Sequence, residues 1–233
     1  PYDYRYADPY VGELAFADGQ VGRLLDWIES EGELENTLVV VLSDHGEGRG
    51  AHGEGLHGVL LYDATTRIPL IIQPPGGQAE GTVINTPASI VDVMPTVLAA
   101  VGEPIPAGLD GIDLLAPAEG LERAVYLESR YAYHHYGWAP QEALVDPEYK
   151  LISSTTPELY SRLDVRERND LREKQPERRA AMQSRLDALT GDMVPLEGTA
   201  DKVSLSAERT AQLEALGYLT TEASPESPEE GLP

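Results

Sequence analysis

Apolar residues in this chain fall into two kinds of run, one with the period of a helix and one without gaps. From about Tyr10 to Ser30, Leu14, Ala17, Val21, Leu24, Leu25 and Ile28 recur at helical spacing. Gly32 follows, where a C-terminal glycine is expected, so the segment predicts a helix covering a sheet. Leu38-Val39-Val40-Val41-Leu42 is continuous and β-branched, which suits a strand buried on both faces of a parallel sheet. Ile68-Pro69-Leu70-Ile71-Ile72 predicts a second such strand, with Pro69 keeping its first part from full pairing. About 25 residues separate the two runs, enough for a crossover, so they are expected to run parallel. An antiparallel hairpin of the two would refute that fold.

Between the strands, Leu60–Arg67 predicts a short turn or helix, and residues 1–9 a loop. Pro74-Pro75-Gly76-Gly77 is a turn, and Thr82–Thr86 is expected to form a short strand. Ser89 caps a helix with Ile90, Val93, Met94, Val97, Leu98 and Val101 on one face, bent at Pro95 and ended by Gly102. The chain changes character at Arg123. Ala124–Glu128 and Gln141–Ser153 predict short strands around an aromatic loop, Tyr131-Ala132-Tyr133-His134-His135-Tyr136-Gly137-Trp138. A helix starts near Pro176, and a last amphipathic stretch, Ser206–Leu216, ends at Gly217. The Pro- and Glu-rich tail beyond it is expected to be disordered. No internal repeat is present, and the segments divide as 1–120, 121–219 and 220–233.

Composition narrows the function classes. A net charge of −23 with no basic stripe leaves nothing to neutralise phosphates, so nucleic acid is not an expected partner. No apolar run approaches the roughly 20 residues of a membrane span. The opening PYDYRYADPY lacks the basic and apolar regions of a signal peptide. The absence of cysteine removes disulfides, thiolate metal sites and a cysteine nucleophile.

Candidate chemistry gathers in the loop after the first apolar strand, SDHGEGRGAHGEGLHG, which holds three of the five histidines. Ligands in open α/β sheets bind beyond the carboxyl ends of strands, which is where Asp44 and His45 lie. Adjacent residues converge on one ion only if the backbone turns sharply, a freedom Gly46 supplies. A capped turn is the plainer alternative for Asp44. Glu47 suits a solvated carboxylate or a partner that orients His45, more than an acid or base of its own. His57, in a stretch too glycine-rich for a packed core, is a candidate to hold an oxyanion or to protonate a leaving alcohol. His52 lies in the same glycine-rich stretch, and Arg67 is a candidate substrate clamp, with pairing to Asp63 or a loop carbonyl at least an equal alternative. His134, His135 and Trp138 either pack within their loop or border a pocket.

The order SDHGE, GAHGEGLHG and LYDATTRIPLII resembles the metal-binding segment of sulfatases, within the alkaline phosphatase superfamily. The preceding GELAFADGQVGRLLDWI, the following SIVDVMPTVLAAVG and AGLDGIDLL, and more loosely ELYSRLDVRERN, are similar to further segments of that family. The resemblance implies an α/β alkaline-phosphatase/sulfatase-like sheet with covering helices, present in part over 1–120, and a small C-terminal α+β subdomain over 121–219. It implies that Asp44 and His45 bind one divalent cation, calcium first, with manganese, magnesium or zinc as alternatives. It makes His57 the catalytic group of this chain, and His52, His57, Arg67 and His135 substrate contacts. Ala51 stands where relatives often carry glutamate, which bears on the role of His52.

The family's nucleophile motif, oxidised to formylglycine, has no match here. Ser224 and Ser227 precede prolines in the acidic tail without an arginine, and no Asp-Asp pair occurs. The expectation is therefore the C-terminal half of a longer sulfatase-like hydrolase, inactive alone and partnered by the N-terminal half of the same polypeptide. Its substrate would be a small-molecule or glycan sulfate or phosphate ester, and its location periplasmic, membrane-anchored or secreted. The alternatives are a phosphodiesterase, phosphonate ester hydrolase or phosphoethanolamine transferase of the same superfamily, or a non-catalytic binding domain.

Overall fold

A computed structural model describes residues 6–77, 81–116 and 122–191, with isolated positions beyond. The amphipathic stretch after Ser206 and the acidic tail lie almost wholly outside the described residues. Helix α1 runs Pro9–Ser30: Asp8 accepts from the Tyr10 N–H at 3.1 Å, and Pro9 occupies the first turn, where its missing N–H costs nothing. Gly32 at φ 75° lets the chain leave the helix. Only Gly12 of α1 is buried, while Leu14, Leu24 and Trp27 are more than half exposed. The apolar face therefore has no cover among the described residues.

Strand β1 (Val39–Leu42) pairs with β2 (Leu70–Gln73), and the pairing is antiparallel, with Val39 opposite Gln73 and Leu42 opposite Leu70. The parallel expectation is thus wrong for this pair. The connection carries a 3₁₀ turn, Ala51–Gly53, and one short α-helix, α2 (Asp63–Thr66), and no helix long enough to cross a sheet face. Its outgoing arm instead zips onto its returning arm: Gly46, Gly48 and Gly50 donate N–H bonds of 2.7 to 2.8 Å to the carbonyls of Thr65, Leu56 and Glu54. That zipper delivers the chain to β2 in the reverse direction. Burial differs too, since β1 is half-buried throughout and Ile71 of β2 is exposed. Pro69 stands just before the strand, as its missing N–H requires.

Beyond β2, residues 82–85 form no strand, with Val83 and Ile84 exposed. Ser89 and Asp92 form a reciprocal capping box over a 3₁₀ turn, Ile90–Asp92, that continues into α3 (Val93–Ala100). Asp92 is fully buried, pairs with Arg123 and accepts the Ile112 N–H at 2.9 Å. The Asp110-Gly111-Ile112 segment is thereby docked on α3, an architectural role.

The best-packed core lies in a four-stranded antiparallel meander: β3 (Val125–Ser129), β4 (Gln141–Val145), β5 (Tyr149–Ser153) and β6 (Glu158–Ser161). Period-2 alternation splits its apolar residues between two faces. Leu144, Leu151 and Leu159 meet Met182 and Leu186 of α5 (Pro176–Gly191). Ala143, Ile152 and Tyr160 meet Leu61, just ahead of α2. A fully buried leucine is worth about 1.5–3 kcal/mol, so this face anchors the returning arm of the β1–β2 connection firmly. The aromatic run expected as a loop is a short helix, α4 (Tyr131–Tyr136), ended by Gly137 at φ 67°.

Candidate active site at the end of β1

At the end of β1 the Asp44 carboxylate accepts the His45 N–H at 2.9 Å, and its other oxygen lies 3.7 Å from His45 Nε2. Backbone N–H groups, His45's first, hold the Asp44 carboxyl below the usual carboxylate range, aided by the nearby His45 and His57 rings. His45 Nδ1 lies 2.9 Å from the Gly46 carbonyl. A carbonyl only accepts, so Nδ1 carries the proton and Nε2 keeps its lone pair for a cation or a proton.

His57 stacks on His45, ring centroids 3.8 Å apart, and its Nδ1 lies 2.8 Å from Glu47 Oε1. By the same logic Nδ1 donates to the carboxylate, and Nε2 has no hydrogen-bond partner among the described residues. Ligand atoms of His45, Glu47 and His57 all lie within 4.8 Å of one another, close enough to share one cation. With Asp44 at the rim, this donor set of carboxylate oxygens and imidazole nitrogens fits a divalent ion.

The loop that carries these groups is held at named points. A Cβ on Gly46 would lie 2.3 Å from the Ala64 carbonyl oxygen, so only glycine allows this approach to α2. Buried Glu54 accepts the Val59 N–H at 2.8 Å, and the Ser129 hydroxyl lies 2.8 and 2.9 Å from the carbonyls of Gly58 and Val59. These bonds fix the backbone next to His57. Gly46→Ala should therefore cost about 1–3 kcal/mol of stability, as overpacking against rigid backbone does. Gly55, with open space around it, is the control. Thermal denaturation of the two alanine variants checks the contrast.

The other sequence candidates lie elsewhere. His52, at φ 50°, stacks on Tyr62 at 3.6 Å, and its Nε2 is 3.1 Å from the Arg166 carbonyl. Arg67 lies 3.8 Å from Asp63 and shares with His52 the wall of a cavity. His135 stacks on Tyr131 within α4 at 4.1 Å, with Nδ1 near the Tyr131 carbonyl, and His134 lies edge-on to Tyr133. Glu47 and Glu54 are the residues whose structural roles the sequence understated. Nothing in a glycine-rich loop distinguishes a carboxylate that orients a ring from one facing water.

Comparison with known proteins now bears on this geometry. The family model described as "Sulfatase" matches residues 2–103, and that described as "N-sulphoglucosamine sulphohydrolase, C-terminal" matches 54–189. The chain belongs to the sulfatase family. It is 39% identical over 153 residues to the Escherichia coli K12 protein named "Uncharacterized sulfatase YidJ", a match covering 63% of this chain and 30% of that one. It is 32% identical to an N-acetylglucosamine-6-O-sulfatase of Bacteroides thetaiotaomicron, over 62% of this chain and 26% of that one. A solved structure described as a complex with its substrate D-glucosamine-2-N,6-O-disulfate superposes with a TM-score of 0.63 at 25% identity. That match covers 78% of this chain and 40% of the other. The match thus spans between a quarter and a third of the length of these curated relatives. The α/β sulfatase-like fold holds, although the β1–β2 pairing is antiparallel.

Proposed function

We propose that this chain supplies one wall of an active site that hydrolyses sulfate esters, with sulfated glucosamine units of glycans as the substrate class. One observation carries the assignment: His45, Glu47 and His57 converge beside Asp44 at the end of β1. Membership of the sulfatase family supports ester hydrolysis. The sugar is supported by the N-sulphoglucosamine description of the longer family match, by the N-acetylglucosamine-6-O-sulfatase relative and by the disulfated glucosamine in the solved complex.

In this reading Asp44, held ionised, and His45 Nε2 hold one divalent cation, calcium first, with manganese, magnesium or zinc as alternatives. When bound, such an ion acts as a Lewis acid on an ester oxygen. His57 presents Nε2 to the substrate and carries a proton to the leaving alcohol. Glu47 keeps that ring oriented and stabilises its cationic form. The chain contains no cysteine, and the nucleophile, a formylglycine by family pattern, comes from the N-terminal part of the same polypeptide. The uncovered apolar residues of α1 and α3 support such a larger assembly. The chain alone is expected not to turn over substrate.

The test is metal analysis of the complete polypeptide. Asp44→Ala should lose the stoichiometric ion and its activity on glucosamine 6-sulfate. Full ion content with full activity would remove Asp44 from the site. Faster turnover of phosphate or phosphonate esters than of sulfate esters would move the substrate assignment to that branch of the superfamily.

A further inference from the structure

A cavity of about 600 Å³ opens beside α2, within the size range of small-ligand sites. Arg67, Arg166, Arg168 and His52 line it together with the carboxylates of Asp63 and Glu167. Those carboxylates are already committed. Buried Lys150 lies 2.8 Å from Asp63 Oδ1 and 2.9 Å from Glu167 Oε1, and Glu167 Oε2 accepts the Asp63 N–H. The guanidinium groups are not committed in the same way. Arg67 has only a long 3.8 Å contact to Asp63, and Arg166 and Arg168 have no carboxylate partner among the described residues. In a chain of net charge −23, three arginines around one cavity are a local reversal of sign.

The loop that presents two of them is preorganised. Asp164 Oδ2 accepts the N–H groups of Arg168 and Asn169 at 3.0 and 2.8 Å. The Arg166 carbonyl is tied to His52, which is itself stacked on Tyr62. Guanidinium forks match oxyanions bidentately, so the wall suits a sulfate, phosphate or carboxylate group.

We propose that this cavity is a second oxyanion-binding site, separate from the His45–His57 cluster. The two share α2: Ala64 lines the cavity, and its carbonyl lies against Gly46 next to His45. One source of the oxyanion is a further sulfate on a multiply sulfated glycan, which rests on the reading under Proposed function. The other is free sulfate or phosphate.

The test uses the complete polypeptide carrying Arg166→Gln and Arg168→Gln together. Both side chains are exposed, so the fold is expected to survive, and circular dichroism checks it. Calorimetric titration with inorganic sulfate at low ionic strength should show the cavity's sulfate bound about 10-fold more weakly in the double variant. This measurement needs no turnover, so it stands or falls independently of the hydrolase assignment. If a substrate group occupies the cavity, KM for glucosamine-2-N,6-O-disulfate rises about 10-fold at unchanged kcat, while a monosulfated aryl ester is unaffected. If free anion occupies it, KM for the disulfate stays and inhibition by added sulfate weakens. Unchanged sulfate affinity, KM and inhibition together would overturn the proposal.

Discussion

Replacing Lys150 by methionine should destabilise the complete protein by about 3–5 kcal/mol, the usual cost of removing one partner from a buried ion pair. Lys150 is 2% exposed on β5 and faces α2, where it contacts Asp63, Glu167 and the Thr66 hydroxyl. Without it, two carboxylates remain beside each other with only the long Arg67 contact to Asp63 to offset them, and Glu167 is itself almost fully buried. Burial already lifts the Glu167 carboxyl above its ordinary value, with Lys150 opposing the shift, so the substitution lifts it further. A carboxyl whose pKa is raised on folding favours the folded state at low pH and loses that benefit as pH rises through the folded value. The deficit of Lys150→Met should therefore be smallest near pH 5 and widen towards pH 8. Urea unfolding at both pH values measures it. Adding Glu167→Gln, which keeps an acceptor for the Asp63 N–H, should recover a large part of the loss. A fully additive double variant would mean that the pair is not coupled.

This ion cluster marks one limit of what the sequence shows. Asp63, Lys150 and Glu167 are far apart along the chain, and each alone suits a solvated surface charge. Only the register of β5 against the rest of the meander turns Lys150 inward. The elements themselves were legible wherever a period was sustained: α1 from its apolar spacing, α3 from the Ser89 cap and the apolar face behind it, and α5 from Pro176. The direction of β1 against β2 was not, because a continuous apolar run carries no sign. The deciding contacts, Gly46 to Thr65 and Gly48 to Leu56, are backbone bonds to which side-chain identity contributes only permission. The aromatic run 131–136 was too short for a helical period to stand out. At the candidate site the types and order of Asp44, His45 and His57 were legible. The stacking of the two rings and the Glu47–His57 bond depend on how a loop closes on itself, which spacing alone does not fix.

That closure makes His57 the most informative residue to change. His57 lies twelve residues beyond His45, and the folded loop returns it to ring contact with His45. Its Nδ1 is taken by Glu47, so Nε2 is the only atom it has for a substrate. Loss of a general acid or base typically lowers rate by 10²–10⁴-fold, and His57→Ala in the complete enzyme should lower kcat by about that factor. Ion content should stay intact, because Asp44 and His45 Nε2 remain. Glu47→Gln keeps a hydrogen-bond acceptor for the ring but removes the charge that stabilises its cationic form, and should cost a smaller factor, about 10-fold. His52→Ala should act differently from both, through the cavity and the stacking on Tyr62 rather than through the reacting bond. Ion content read by elemental analysis alongside kcat separates the cases. A His57→Ala protein that has lost its ion makes His57 a ligand, placing it with His45 and Glu47 around the cation. One that keeps both ion and rate has lost only a stacked ring, and the proton-transfer role falls.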